Sequence, residues 1–159
     1  MAQEIERKFL VNGPFKDKAF NCTHIVQGYI CHENGNTVRV RVRDEQGYIT
    51  IKGPSDDGGL SRYEFETPIS KDDAMDLMKL CTNGYIDKCR WLVRSGNHVF
   101  EVDEFFGDNE GLVMAEVELS SPNETYEKPD FIGKEVTGDR RFYNSHLLQY
   151  PFCKWKDEI

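Results

Sequence analysis

The run Glu4-Ile5-Glu6-Arg7-Lys8 puts two carboxylates and an ammonium on one face of an extended strand, while Ile5, Arg7 and Phe9 share the other. The pattern recurs along the chain. Arg39, Arg41 and Arg43 alternate with Val38, Val40 and Val42, and Lys52 follows Ile49 and Ile51. Glu64 and Glu66, Lys88 and Arg90, Glu101 and Asp103, and Glu116 and Glu118 each alternate with apolar or aromatic residues. Taken one at a time, these are ordinary half-buried strands with the charged side in water. The sorting of signs argues for more. Like charges about 6.5–7 Å apart on one strand repel by about 0.6 kcal/mol in water and about 2.4 kcal/mol at an effective dielectric near 20. Something else must supply the opposite charge. Chemistry that needs both signs together is phosphate handling with a divalent metal: hard Mg²⁺ or Mn²⁺ takes carboxylate oxygens, and Arg and Lys neutralise phosphoryl oxygens.

These side chains must be positioned by strands. Period-two alternation and regularly spaced turn residues predict eight of them, at about 3–10, 24–32, 37–43, 47–53, 60–66, 85–94, 97–105 and 112–119. Asn34-Gly35 suits a tight hairpin, and Gln46-Gly47, Asp57-Gly58-Gly59, Ser95-Gly96-Asn97 and Gly107-Asp108-Asn109 fill similar gaps. Ser70–Cys81 predicts a helix, with Ser70 as N-cap and Ala74, Leu77, Met78 and Cys81 on one face. Shorter helical stretches are expected at Phe15–Phe20 and Arg141–Gln149.

The fold class is therefore mainly β with flanking helices. Hairpin-linked antiparallel strands are expected to close into an eight-stranded up-and-down barrel, with a two-sheet sandwich as the alternative. If the charged faces point inward, the apolar faces need cover from the Ser70–Cys81 helix, the aromatic tail (Phe142, Tyr143, Leu147, Leu148, Tyr150, Phe152, Trp155) or a partner subunit. On the residues alone this inverted barrel and an apolar-cored one both stand.

Composition sets the outer limits. The 159 residues suit one domain spanning 1–159, and a net charge of −8 argues against a protein that coats nucleic acid. Five cysteines without a C-x-x-C pair suit a reducing compartment, and His24, His32, His98 and His146 show no metal-ligand spacing. No apolar run is long enough to span a bilayer, and no signal peptide precedes Glu4, so the expected location is the cytoplasm, away from membranes.

The opening motif resembles the Glu-x-Glu-x-Lys signature of the CYTH superfamily, the triphosphate tunnel metalloenzymes. Gln27-Gly28-Tyr29, Arg39-x-Arg41, Ile51-Lys52-Gly53, Glu64-x-Glu66, Lys88-x-Arg90, Asp103, Glu116-x-Glu118 and Glu135–Asn144 follow in order, so the resemblance covers essentially the whole chain, and most resembles the short single-domain bacterial members. It implies a closed eight-stranded antiparallel barrel forming a charged tunnel, and so favours the inward-facing charges. By the same resemblance Glu4, Glu6, Glu116 and Glu118 are metal ligands with Asp103 a further candidate. Lys8, Arg39, Arg41, Lys52, Lys88 and Arg90 grip phosphates, with Lys8, Tyr29 and Lys88 the catalytic candidates and Tyr29 paired with Lys8. Glu64, Glu66 and Glu101 would orient the basic residues. Arg43 and Arg62, at strand ends, read as solvated surface, and Arg141 as an anchor for the last helix. Phe142 stands where a tyrosine is common, so the contact made by that hydroxyl is expected to be absent.

The implied activity is Mg²⁺- or Mn²⁺-dependent cleavage of a terminal phosphoanhydride, with inorganic triphosphate as the small-molecule substrate and a homodimer as a possible assembly. A class IV-type adenylate cyclase making cyclic AMP from ATP, another nucleoside or thiamine triphosphatase, and a non-catalytic polyphosphate or nucleotide sensor are the alternatives; product analysis with ATP and a turnover assay separate them. Glu4→Gln and Glu118→Gln are both expected to relieve like-charge repulsion without harm to the fold.

Overall fold

The computed structural model describes residues 3–55, 57–81 and 83–159. Among the described residues nine strands form: β1 Gln3–Val11, β2 Ala19–Glu33, β3 Asn36–Arg43, β4 Gln46–Lys52, β5 Ser61–Ile69, β6 Ile86–Ser95, β7 His98–Phe105, β8 Val113–Glu118 and β9 Ile132–Glu135. The eight expected strands are present with shifted ends. β9, four residues beside β1, was too short to show a period.

All pairings are antiparallel, and the order β1-β5-β4-β3-β2-β6-β7-β8 closes back on β1. The barrel is closed and eight-stranded, but it is not a simple up-and-down meander. β1 neighbours β5 and β8 rather than β2, and β2 neighbours β6. Chain β5 reaches β6 through helix α1, Lys71–Met78, which crosses the outer faces of β2, β3 and β4. As expected, the Ser70 side chain caps α1 by accepting from the Asp73 backbone N–H.

Two glycines show how turn and contact differ. Gly35 follows Asn34 in the β2–β3 hairpin, both with positive φ, as a tight turn requires. Gly47 was expected in a turn, but the β3–β4 turn falls on Asp44-Glu45 and Gly47 lies within β4, opposite Ile69. A Cβ there would sit 2.6 Å from the Ala74 Cβ, so the missing side chain is what lets α1 dock.

The apolar strand faces point outward. Phe9, Val93, Phe100, Val102, Ala115 and Val117 pack under Phe15, Leu119 and Phe131 of the connecting segments. Cover is incomplete on the opposite side, where Ile51, Tyr63 and Phe65 remain exposed. The aromatic tail does not pad the outside as expected. Leu10, Ile86, Phe105 and Met114 occupy inward register positions, and they cluster with Phe142, Leu147, Phe152 and Trp155. Part of the barrel interior is thus a dry plug made with the tail.

Candidate active site

Above that plug the interior is ionic. Fourteen of the fifteen sequence-selected residues line one lumen of about 210 Å³: Glu4, Glu6, Lys8, Tyr29, Arg39, Arg41, Lys52, Glu64, Glu66, Lys88, Arg90, Glu101, Glu116 and Glu118. Strand pairing explains the gathering, since directly paired residues share a face. Glu6 lies opposite Glu118, Lys8 opposite Glu116, Glu101 opposite Glu116 and Lys52 opposite Glu64.

The walls differ in their dominant sign. On the β1–β8–β5 side, burial together with Glu116 and Glu4 pushes the Glu6 carboxyl well above its ordinary range. Burial and the Glu4 hydrogen bond raise Glu64 to about 7, and burial with Glu4 and Glu101 raises Glu118. Burial also works against Glu4, but Lys52 outweighs it. The Lys52 ammonium donates to both Glu4 oxygens at 2.8 and 2.9 Å and holds that carboxyl at about 2. Lys8 lies 3.9 Å from both Glu6 and Glu116, and their charges keep it protonated in spite of burial.

The β2–β3–β6 side carries surplus positive charge. Asp103 sits behind the lumen, its side chain 3% exposed. It accepts from Lys88 at 2.7 Å and from two Arg90 nitrogens at 2.8 and 2.9 Å. Both oxygens are engaged, and Lys88 and Arg90 hold its carboxyl far below the usual range against the effect of burial. The expected metal-ligand role of Asp103 is therefore replaced by support of two cations. Burial and the neighbouring Arg90 and Arg41 depress Lys88 to about 7 even beside Asp103. Burial, Arg39 and Arg90 bring Arg41 to about 9. Among the described residues the buried Arg39 Nε has no partner.

Other expectations change in detail. Lys8 stacks 4.6 Å from the ring centre of Tyr143, so its aromatic partner is Tyr143 and not Tyr29. Phe142 turns into the plug, where it packs edge-on against Trp155; the tyrosine of the tail reaches the lumen one residue later than expected. Arg43 and Arg62 also line the lumen, Arg43 remaining exposed as expected and Arg62 half-buried. Arg43 donates to the Tyr48 hydroxyl at 2.7 Å, and Arg62 to the Gly53 and Gly35 carbonyls at 2.8 and 2.9 Å. Arg141 is held by Asp139 at 2.8 Å and stacks near Trp155, as an anchor would be. Glu66 accepts from Thr50 and Arg39, and Glu101 from Arg90, so both orient other groups.

Gln27 and Asn144 were quoted within motifs but given no role. Gln27, fully buried, accepts from Arg41 at 2.8 Å and donates to Asn144 at 3.1 Å, and Asn144 accepts from Lys88 at 2.9 Å. Two neutral amides thus tie Arg41 of β3 to Lys88 of β6. Gln27 was marked only by its inward register in β2, and Asn144, which opens the helix Asn144–Gln149, carried no such signal.

The charge pattern gives Glu4→Gln a different outcome from the one expected on repulsion alone. Glu4 is depressed by its pairing, so its contribution is present above about pH 4.5 and fades as pH falls toward 2. Its loss leaves Lys52 without its carboxylate. At pH 7 the variant is expected to be about 2 kcal/mol less stable, between the values for exposed and buried ion pairs. Urea unfolding at pH 7 and pH 3 checks this, with the deficit shrinking at the lower pH.

Hard oxygen donors on one wall and an excess of cations over carboxylates on the other fit a metal–phosphate complex. Among the described residues no three candidate ligands are already gathered around a vacant metal position. Lys8 and Lys52 stand among the carboxylates instead, so a divalent ion has to compete with two ammonium groups and with protons.

A family model described as the CYTH domain matches residues 2–143. An inorganic triphosphatase of Acetivibrio thermocellus is 42% identical over 158 residues, covering 99% of this chain and all of that one. An inorganic triphosphatase of Nitrosomonas europaea is 32% identical over 148 residues, 91% of this chain and 95% of its own. A crystal structure of an inorganic triphosphatase superposes with a TM-score of 0.65 at 28% identity, covering 91% of this chain and 97% of that one.

Proposed function

The chain belongs to the CYTH domain family, and we propose that it hydrolyses inorganic triphosphate to pyrophosphate and phosphate within this lumen as a single tunnel domain, using Mg²⁺ or Mn²⁺. The observation that carries the reading is the split of the lumen into a carboxylate wall and a guanidinium–ammonium wall. Triphosphatases of this family depend on a divalent metal. Bound between the walls, such an ion supplies charge neutralisation and polarisation of phosphoryl oxygens.

The protein's own groups do the rest. Glu4, Glu6, Glu116 and Glu118 would hold the metal. Arg39, Arg41, Lys52, Lys88 and Arg90 grip the anion, with Gln27, Asn144 and Asp103 fixing their directions. Anion binding restores the full charge on Lys88, so substrate uptake near neutral pH draws in a proton there. Water adds to the terminal phosphorus and the P–O–P bond breaks. The surplus cations stabilise charge moving onto the departing pyrophosphate, so most of the acceleration comes from preorganised electrostatics. Lys8, held between Glu6, Glu116 and Tyr143, stands within the carboxylate wall. Tyr29 lines the same lumen beside Gln27.

Metal loading has a measurable proton signature. Glu6 and Glu118, two of the four proposed ligands, have raised proton affinity in the metal-free lumen, and ligation needs the ionised forms. Binding of Mg²⁺ or Mn²⁺ near pH 6.5 is expected to release about one proton per ion. Calorimetry in two buffers of different ionisation enthalpy reads this directly; buffer-independent heats would contradict it.

The activity test is phosphate release from tripolyphosphate with Mg²⁺, with Mn²⁺ and with EDTA. One phosphate and one pyrophosphate per turnover are expected with metal, and none with chelator. No release with any metal defeats the proposal, as does production of cyclic AMP from ATP as the main reaction.

A further inference from the structure

A second cavity, of about 550 Å³, lies between the β2–β3 turn, the β4–β5 loop and the segment Gly138–His146. It shares Arg62, Tyr143 and Ser145 with the lumen, so the two spaces adjoin. Their chemistry differs. The second cavity is lined by Arg62, Arg140, His32 and His146, and by no carboxylate among the described residues. Asp57, in the same β4–β5 loop, is turned to Ser55 and to the backbone and hydroxyl of Ser61.

These basic groups have spare capacity. Arg62 uses Nε and one terminal nitrogen on the Gly53 and Gly35 carbonyls. Arg140 is exposed and makes no ion pair among the described residues. Among the described residues His146 Nδ1 is buried without a partner, and His32 Nε2 has only the Ser145 hydroxyl at 3.4 Å. Burial, followed by Arg62, His146 and Arg140, holds the proton affinity of His32 below its ordinary value. That is what a cationic cluster lacking its anion should do. The walls are also fixed. A Cβ on Gly138 would lie 2.1 Å from the Gly58 carbonyl oxygen, and one on Gly59 2.6 Å from the Tyr143 hydroxyl.

We propose that this cavity is a metal-independent binding site for a phosphoryl anion, held by Arg62, Arg140, His32 and His146 beside the metal-dependent lumen. Two arginines and two imidazoles without carboxylates offer donors to phosphate directly and no hard oxygen ligand to Mg²⁺. The link to turnover rests on the triphosphatase reading. The phosphoryl group has two possible sources: the outer end of a chain of more than three phosphates, or a released phosphate or pyrophosphate.

The test begins in EDTA, where turnover is absent. Inorganic pyrophosphate is titrated while the ring protons of His32 and His146 are followed by NMR. Saturable shifts of both rings are expected, with the titration of His32 moving to higher pH, and Arg140→Gln weakening the interaction about 10-fold. With metal present, a rise in KM for tetraphosphate in Arg140→Gln, with tripolyphosphate unchanged, assigns the site to the outer chain end. A rise in the pyrophosphate inhibition constant with both KM values unchanged assigns it to released product. Histidine resonances that stay put, or that shift equally in Arg140→Gln, overturn the proposal. Absence of tripolyphosphate hydrolysis would instead defeat the triphosphatase reading while leaving the metal-free titration interpretable.

Discussion

Glu6→Gln and Glu118→Gln are expected to cut metal-dependent turnover by about 100-fold or more while making the metal-free protein more stable. Glu6 faces Glu118 across the β1–β8 pair and feels Glu116 and Glu4 as well. Its carboxylate is a cost to the empty barrel, present above the ordinary carboxylate range and relieved as pH falls and the group takes up a proton. Gln keeps the shape and removes the charge. A gain of about 1 kcal/mol raises Tm by about 2–4 °C for a chain of this size, and the gain should vanish by pH 4, where the wild-type carboxyl is protonated. Activity lost while stability rises would mark these glutamates as a site held ready for a cation. Thermal melts in EDTA beside turnover with metal decide it; full activity in both variants would remove them from the metal site.

Asp103→Asn should do the opposite to stability. Lys88 and Arg90 both lean on this one carboxylate, and Lys88 is 1% exposed. Asn preserves the size but leaves the buried Lys88 with no anion and Arg90 with only Glu101, at 3.3 Å, which costs about 3 kcal/mol. Turnover should fall about 100-fold, because the grip on phosphate is misdirected. A support residue and a metal ligand part company when the metal concentration is raised. The expected loss persists at saturating Mg²⁺ or Mn²⁺, and unfolding in urea shows the destabilisation without any metal. Recovery of activity at high metal, with stability untouched, would return Asp103 to the ligand set.

The strands and their charged faces were legible because period-two alternation is a local signal, and the inward sign pattern survives intact from Glu4 to Glu118. The partners of each strand were not. Nothing within β1 or β2 says that β5 closes on β1 or that β6 lies beside β2, and the crossover helix α1 that imposes this order was visible only as a helix. Gly47 misled because a glycine that admits Ala74 looks the same in sequence as one that turns the chain. In the tail, a short 3-10 turn at Arg140–Phe142 sets which aromatic faces the lumen, and it sends Phe142 into the plug and Tyr143 over Lys8. Gln27 and Asn144 are uncharged, so no argument from charge could single them out. Asp103 carried the right charge and the right face; only its distances to Lys88 and Arg90 separate a support from a ligand.

The account turns on a lumen that takes a metal on its glutamate side and a polyphosphate on its arginine–lysine side. Crystals grown with Mn²⁺ and non-hydrolysable imidotriphosphate, with anomalous scattering recorded for manganese, test it most directly. The predicted result is an anomalous peak among Glu4, Glu6, Glu116 and Glu118 with the anion along Arg39, Arg41, Lys88 and Arg90. Manganese confined to the outer surface, with the anion absent from the lumen of an enzyme that still turns over, would contradict it.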